Sequence, residues 1–225
     1  MDQSTRPSGV IFDFDGVVVD SLSVHLDAWR ASFKTLYGVE LENTDGLPGR
    51  STAAIADILS TRAGQPGTKE ALASLKRDIL RQSSAAINFL PGVQSAFVWL
   101  RREKIPFGIA SNAPRKFIET TLYELGECVS HIFGCDDVMR QKPEPDVFLK
   151  CAKSLSLSVL QHEKIIVFED SPHGLRAAVK AGMFPIGVLT QNSADQMIEA
   201  GALAVCSDVG DALQRGWLSS LPRQS

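Results

Sequence analysis

The chain has 225 residues, of which 44% are hydrophobic and 22% charged, and its formal net charge is −3. This length suits one large domain or one domain with a smaller insert, and the composition is that of an ordinary globular protein. The charge favours neither nucleic acid nor an anionic membrane as partner, and no apolar run approaches the roughly 20 residues of a membrane span. The opening residues, MDQSTRPSGV, lack the leader of a secretory signal, so we expect a cytoplasmic protein.

Short apolar runs recur along the chain, and each is followed by a loop and then by a helical pattern. In chain order, the runs are GVIFDF, IPFGIA, KIIVFED, FPIGVL and ALAVCS. The helical patterns cover residues 93–102, 114–125, 145–154 and 172–181. Apolar strands that alternate with helices predict an α/β fold, with a doubly wound, Rossmann-like parallel sheet covered by helices on both faces.

One segment interrupts this alternation. Between about residues 22 and 90 the sequence has no convincing strand, but apolar residues recur there at helical spacing. The pattern predicts a helical cap domain, residues 21–89, inserted into a core domain made of residues 1–20 and 90–225. Because ligands of open α/β folds bind at the loops that follow strand ends, an insert at this point would cover the site.

Carboxylates stand at the ends of two predicted strands. Asp13 and Asp15 end the first run, in FDFDGVVVDS, and Glu169 and Asp170 end the run KIIVFED. Because side chains alternate along a strand, Asp13 and Asp15 face the same way, into the crevice at the carboxyl edge of the sheet. Close carboxylates repel one another, and a hard cation that prefers oxygen ligands relieves this repulsion. The pattern therefore predicts a Mg²⁺ site.

The other strand ends supply groups suited to phosphate. Ser111 and Asn112 follow IPFGIA, just before a helix whose first turn offers free N–H groups. Lys142, in QKPEP, lies in a loop that two prolines stiffen. We expect these three residues to hold a phosphoryl group.

Together, these residue types suggest hydrolysis of a phosphate ester through an aspartyl-phosphate. Asp13 would attack phosphorus. Asp15 would protonate the leaving alcohol and then take a proton from the incoming water. Lys142 and the metal would spread the transferring charge.

Four motifs, in order, resemble those of the haloacid dehalogenase-like superfamily, in the branch that holds β-phosphoglucomutase and many small phosphatases. DFDGVVVDS resembles the first motif, IASN the second, QKPEPDVF the third and VFEDSPHGLRAAVKAGM the fourth. The resemblance implies a doubly wound core with a helical cap, and phosphoryl binding by Ser111 and Lys142. It disfavours a dehalogenase, because enzymes of that kind lack the aspartate that stands here as Asp15.

The same resemblance assigns the acidic residues. It implies that Asp13 is the nucleophile and that Asp15 is the general acid and base. It places the metal on the side chains of Asp13 and Asp170 and on the backbone carbonyl of Asp15, with Glu169 assisting.

The cap bears on the choice of substrate. His25, in SVHLDAW, matches a histidine of β-phosphoglucomutase, and LPGRST resembles the cap loop that reaches substrate. Where the mutase has an arginine that grips a second phosphate, this chain has Thr52, with Arg50 two residues earlier. We therefore expect a monomeric phosphatase of a small phosphorylated metabolite such as a sugar phosphate. The alternatives are a sugar-phosphate mutase and a catalytically silent binding module.

Overall fold

The structure is a computed structural model that describes residues 6–47, 50, 52–82 and 87–222. The chain forms two compact units: a core unit, residues 1–20 with 88–225, and an inserted unit, residues 21–87. Within the described residues, every helix is too short or too polar to cross a membrane. That the inserted unit acts as a cap over a catalytic site stays a prediction.

Within the described residues, the strands all belong to the core unit. They are β1 (Gly9–Phe12), β2 (Val19–Asp20), β3 (Asn88–Phe89), β4 (Phe107–Ala110), β5 (Ile132–Phe133), β6 (Ile165–Glu169), β7 (Phe184–Val188) and β8 (Ala204–Cys206). Six of them form a parallel sheet in the order β5-β4-β1-β6-β7-β8. β2 and β3 form a separate antiparallel pair. The five predicted strands are confirmed, and the two-residue strands β2, β3 and β5 were missing from the prediction.

Helices connect the strands and make up the inserted unit. They are α1 (Leu22–Tyr37), α2 (Thr52–Arg62), α3 (Lys69–Arg81), α4 (Val93–Arg102), α5 (Arg115–Glu124), α6 (Asp146–Ser154), α7 (Pro172–Lys180), α8 (Ala194–Glu199) and α9 (Val209–Gln214). The four helices predicted after residue 90 correspond to α4, α5, α6 and α7. The six-residue helices α8 and α9 were not predicted.

The sheet is covered by helices on both faces. On one face, Ile11 and Val167 belong to a buried cluster with apolar residues of α6 and α7. On the other face, Phe12 stacks on Phe168 at 5.3 Å between ring centres and meets Phe97 of α4 edge-on at 5.4 Å. This alternation is what a strand buried on both sides requires, and it confirms the predicted doubly wound α/β fold.

The inserted unit has its own hydrophobic core. Trp29 and Phe33 of α1 pack with Leu59 of α2 and Leu72 of α3, and all four side chains are buried. The regular structure of its described residues is entirely helical. The prediction of a helical insert is therefore confirmed for this part of the chain.

Candidate active site

The candidate site lies where β1 and β6 end side by side. Phe12 pairs with Phe168 across these strands, and the Asp13 N–H donates to the carbonyl of Phe168 at 2.9 Å. Asp13 therefore lies next to Glu169, the last residue of β6, and to Asp170. One carboxylate oxygen from each of these three buried acids lies within 4.8 Å of the others. The parallel sheet thus brings together acids that are about 155 positions apart in the chain.

A buried lysine links two of these acids. The Lys142 ammonium donates to Asp13 Oδ1 at 2.6 Å, to Glu169 Oε1 at 2.5 Å and to the carbonyl of Ala110 at 2.8 Å. Only 3% of the Lys142 side chain is exposed. A buried charge requires such partners, because burying it unpaired is very unfavourable. The sequence did not predict this pairing with the strand-end acids, and the expected contact of Lys142 with a phosphoryl group stays a prediction.

Asn112 holds the loop that carries this lysine. Its side-chain oxygen accepts a hydrogen bond from the Lys142 N–H at 3.1 Å, and its amide nitrogen donates to the Lys142 carbonyl at 3.3 Å. These bonds engage both ends of the amide group. The structure thus gives Asn112 an anchoring role, and its expected contact with phosphate stays a prediction.

The start of α5 is less open than the sequence suggests. Ser111 is buried, and its hydroxyl accepts a hydrogen bond from the Ala113 N–H at 3.1 Å. The Arg115 N–H, at the first position of α5, donates to Asp136 at 2.8 Å. The expectation of free N–H groups here is therefore wrong at Arg115, because a side chain from another loop caps this end of the helix.

The first turn of α7 is built closely around Glu169. The N–H and hydroxyl of Ser171 donate to Glu169 Oε2 at 3.2 and 3.0 Å, and the hydroxyl also accepts from the Gly174 N–H at 3.0 Å. A Cβ at Gly174 would lie 1.8 Å from the Glu169 carboxyl carbon. Only glycine leaves the room that this carboxylate needs. Since Lys142 holds its other oxygen, Glu169 is fixed from both sides.

The acids repel one another in this buried setting. Burial, followed by the charge of Glu169, raises the pKa of Asp13 to about 7, although Lys142 opposes the shift. Burial, followed by the charges of Asp13 and Glu169, raises the pKa of Asp170 well above its usual value. The half-buried Asp15 adds to both shifts, so its carboxylate is also close.

These residues fit the expected metal. When ionised, the three clustered carboxylates and the single ammonium of Lys142 leave an excess of two negative charges. A divalent cation would balance that excess, and Mg²⁺ prefers oxygen donors of this kind. The cluster brings together Asp13, Asp170 and Glu169, whose role as metal ligands stays a prediction.

His25 lies in the inserted unit and has a charged neighbour that the sequence did not reveal. Its Nδ1 lies 2.7 Å from Nζ of Lys76, which is only 3% exposed. The ammonium of Lys76 also lies 5.6 Å from the centre of the Trp29 ring. The predicted contact of His25 with substrate stays a prediction.

Arg50 also lies in the inserted unit, and it is exposed. Its Nε donates to the carbonyl of Gly46 at 2.6 Å. Positions 48, 49 and 51 of the predicted substrate loop LPGRST lie outside the described residues. The role of Arg50 in choosing the substrate stays a prediction.

Three polar residues that the sequence reasoning missed contact the site. Thr190, Gln191 and Asn192 follow β7. The amides of Gln191 and Asn192 donate hydrogen bonds to Asp170, and the Thr190 hydroxyl lies 3.3 Å from Asp170 Oδ2. A signal was present in the sequence, because this polar run follows directly on a predicted strand. Polar groups at that position in a parallel sheet lie at the edge where ligands bind.

The sequence model of the haloacid dehalogenase-like hydrolase family matches residues 10–188, so the chain belongs to this family. The validoxylamine A 7'-phosphate phosphatase of Streptomyces hygroscopicus subsp. limoneus is 28% identical, over 86% of this chain and 91% of its own length. The fructose-1-phosphate phosphatase of Escherichia coli is 30% identical, over 81% of this chain and 97% of its own. A solved hydrolase structure from Pseudomonas syringae matches with a TM-score of 0.75 and 24% identity, covering 94% of this chain and 99% of that one.

These findings confirm the expected superfamily and its α/β fold. The chain is therefore an enzyme of this hydrolase family. Both named relatives are phosphatases, in agreement with the expected class of phosphomonoester hydrolase.

The raised carboxylate pKa values predict how the stability of the metal-free protein changes with pH. An unfolded aspartate has a pKa of about 3.9, whereas that of folded Asp13 is about 7. Between these values the folded state binds more protons, so the free energy of unfolding falls as pH rises. We expect urea unfolding in EDTA to show lower stability at pH 8 than at pH 5, and Mg²⁺ to restore it at pH 8.

Asp170→Asn should reduce the loss of unfolding free energy between pH 5 and pH 8, because it removes one of the repelling charges. Asp195→Asn, at an exposed position of α8, is the control and should leave the pH dependence unchanged. An Asp170→Asn variant with the pH dependence of the wild type would contradict this account.

Gly16 gives a second prediction, with a matched control. Its φ is +77°, and a Cβ there would lie 2.0 Å from Asp170 Oδ2. Gly182 has a φ of +70° but no atom within 4 Å of such a Cβ. Each alanine substitution strains the backbone by roughly 1–2 kcal/mol, but only Gly16→Ala displaces Asp170. We expect Gly16→Ala to lower phosphatase activity at least about tenfold and Gly182→Ala to leave it near wild type. Similar activity in the two variants would show that the close approach of Gly16 to Asp170 is unimportant for activity.

Proposed function

We propose that the protein is a Mg²⁺-dependent phosphatase that hydrolyses a small, sugar-phosphate-like metabolite through an aspartyl-phosphate. The observation that carries this proposal is the Lys142 ammonium, held between Asp13 and Glu169 beside Asp170. This arrangement combines a carboxylate nucleophile, a cation that attracts phosphate and an acidic metal cluster. By their names, the two relatives act on validoxylamine A 7'-phosphate and fructose 1-phosphate, which are small phosphorylated compounds, and this supports the substrate class.

The first half-reaction transfers the phosphoryl group to the protein. A carboxylate oxygen of Asp13 forms a bond to phosphorus while the bond between phosphorus and the ester oxygen breaks. Asp15 gives its proton to the departing oxygen, which leaves as a free alcohol. Asp15 is two residues beyond Asp13 and half-buried near the same acids, a position that suits this transfer.

The second half-reaction regenerates the protein. Asp15, now ionised, takes a proton from water as the water oxygen bonds to phosphorus. The bond between phosphorus and Asp13 then breaks, and inorganic phosphate leaves. Throughout, we assign Ser111 and Lys142 to the phosphoryl oxygens that do not react.

The metal would be held by the side chains of Asp13 and Asp170 and the carbonyl of Asp15, with Glu169 assisting. When bound, Mg²⁺ supplies positive charge that offsets the charge of the phosphoryl group. The Lys142 ammonium adds a positive charge among these acids.

We assign substrate selection to the inserted unit, with His25 and Arg50 as contacts. A sugar-phosphate mutase would share the first half-reaction but pass the phosphoryl group to a sugar hydroxyl instead of water. It would need a cationic residue for a second phosphate, and this chain has Thr52 where the mutase has an arginine. This observation favours hydrolysis.

A substrate panel tests the proposed reaction. With Mg²⁺, we expect phosphate release from a few sugar phosphates, with fructose 1-phosphate and β-glucose 1-phosphate in the panel. EDTA should abolish the release, and added Mg²⁺ should restore it. A rate that EDTA does not change would contradict the metal requirement. Isomerisation of β-glucose 1-phosphate to glucose 6-phosphate in the presence of the 1,6-bisphosphate, with little phosphate released, would establish the mutase instead.

A single substitution tests the nucleophile. Asp13→Asn should reduce turnover to background, because the neutral amide cannot form the aspartyl-phosphate. The fold should persist, as circular dichroism and thermal unfolding would show, since the change keeps size and shape and removes a repelling charge. The exposed Asp195→Asn serves as control and should retain full activity. Undiminished turnover in folded Asp13→Asn would exclude Asp13 as the nucleophile.

A further inference from the structure

The segment that follows β7 contacts Asp170 at three points. The Thr190 hydroxyl lies 3.3 Å from Asp170 Oδ2, and the Gln191 amide nitrogen donates to the same oxygen at 3.0 Å. The Asn192 amide nitrogen donates to the backbone carbonyl of Asp170 at 2.8 Å. We call residues 190–192 the Asp170 clasp. It reaches both the side chain and the main chain of this acid.

The clasp engages one carboxylate oxygen of Asp170 and leaves the other open. Oδ2 has two donors beside it, and Gly16 packs so closely against it that a Cβ there would lie 2.0 Å away. The hydrogen bonds that residues 190–192 make to Asp170 go to Oδ2 and to the backbone carbonyl, and Oδ1 accepts none of them. Hydrogen bonds to one oxygen restrict the rotation of the carboxylate plane and leave the second oxygen available to bind a cation.

The clasp also ties Asp170 to the loop that carries Asp15. The Thr190 hydroxyl donates to the carbonyl of Gly16 at 2.8 Å, so this side chain contacts both Asp170 and the loop that carries Asp15. The same loop closes on itself through a hydrogen bond from the Gly16 N–H to the Val19 carbonyl at 2.9 Å. The position of the Asp15–Gly16 turn relative to Asp170 therefore depends on Thr190.

We propose that Thr190, Gln191 and Asn192 are positioning residues that orient Asp170 and the Asp15 loop for binding a divalent cation. They act through Asp170 and do not themselves touch the cation. Groups that hydrogen-bond to metal ligands typically account for 10- to 100-fold in metal affinity. The inference rests on the proposed function, because it assumes that Asp170 is a metal ligand.

Metal affinity itself provides the test. Mn²⁺ prefers the same oxygen donors as Mg²⁺ and is paramagnetic, so free Mn²⁺ can be counted by electron paramagnetic resonance without any turnover. The main variant is Thr190→Val with Gln191→Met, which keeps side-chain size and removes both donors to Oδ2. Each single substitution is measured as well, together with Thr190→Ser, which keeps the hydroxyl.

Ser193→Ala is the matched control. Ser193 is the next residue along, and its hydroxyl caps α8 by accepting from the Gln196 N–H. Its loss removes the cap of α8 at the end of the same loop without removing a donor to Asp170. It therefore separates general loosening of the loop from loss of the clasp.

We expect the double variant to bind Mn²⁺ about tenfold more weakly, the single variants to fall between it and the wild type, and Thr190→Ser and Ser193→Ala to match the wild type. Equal affinity of the wild type and the folded double variant would overturn the clasp and leave the proposed function standing. Equal weakening by Ser193→Ala would also overturn it. A wild-type protein that binds no Mn²⁺ would overturn the metal site of the proposed function, and the clasp with it.

Discussion

The Lys142 ammonium lies 2.6 Å from Asp13 and 2.5 Å from Glu169. The other groups at the carboxyl edge of the sheet are arranged around these two ion pairs. All three side chains are almost fully buried, and a Lys142 without either carboxylate would be an uncompensated buried charge that costs several kcal/mol. The surrounding structure holds each member in place. Asn112 anchors the backbone of the lysine, and Ser171 fixes the far oxygen of Glu169.

One lysine does not neutralise this cluster of acids, and the remaining repulsion has a physical consequence. Metal-free, the folded protein holds aspartates whose pKa values lie above their usual range. The repulsion among these acids therefore lowers the stability of the folded protein as they ionise. Such a local loss of stability is common where a protein must bind charge, because the groups that bind the ligand repel one another before it arrives. At Gly16 and Gly174 the backbone passes so close to the carboxylates of Asp170 and Glu169 that a side chain there would collide with them.

The sequence predicted the long elements well and the short ones poorly. β1, β6 and β7 read as apolar runs because both of their faces are buried, and this makes a continuous signal; β4 and the edge strand β8 are partly buried and still read as apolar runs. β5 has two residues, and α8 and α9 have six each, too few to show a period. Their formation depends on neighbouring elements. α9, which begins at Val209, lies against α4 and β8, for example.

The sequence by itself determined the α/β class, the helical insert and the acids and lysine of the site, because each follows from local periodicity or from residues at strand ends. Only the tertiary structure decided which groups meet. It put Asp136 on the first N–H of α5, Asn112 on the backbone of Lys142 and the clasp on Asp170. The physical reason is that a hydrogen bond joins groups by distance in space, and local sequence patterns do not contain distances between segments far apart in the chain.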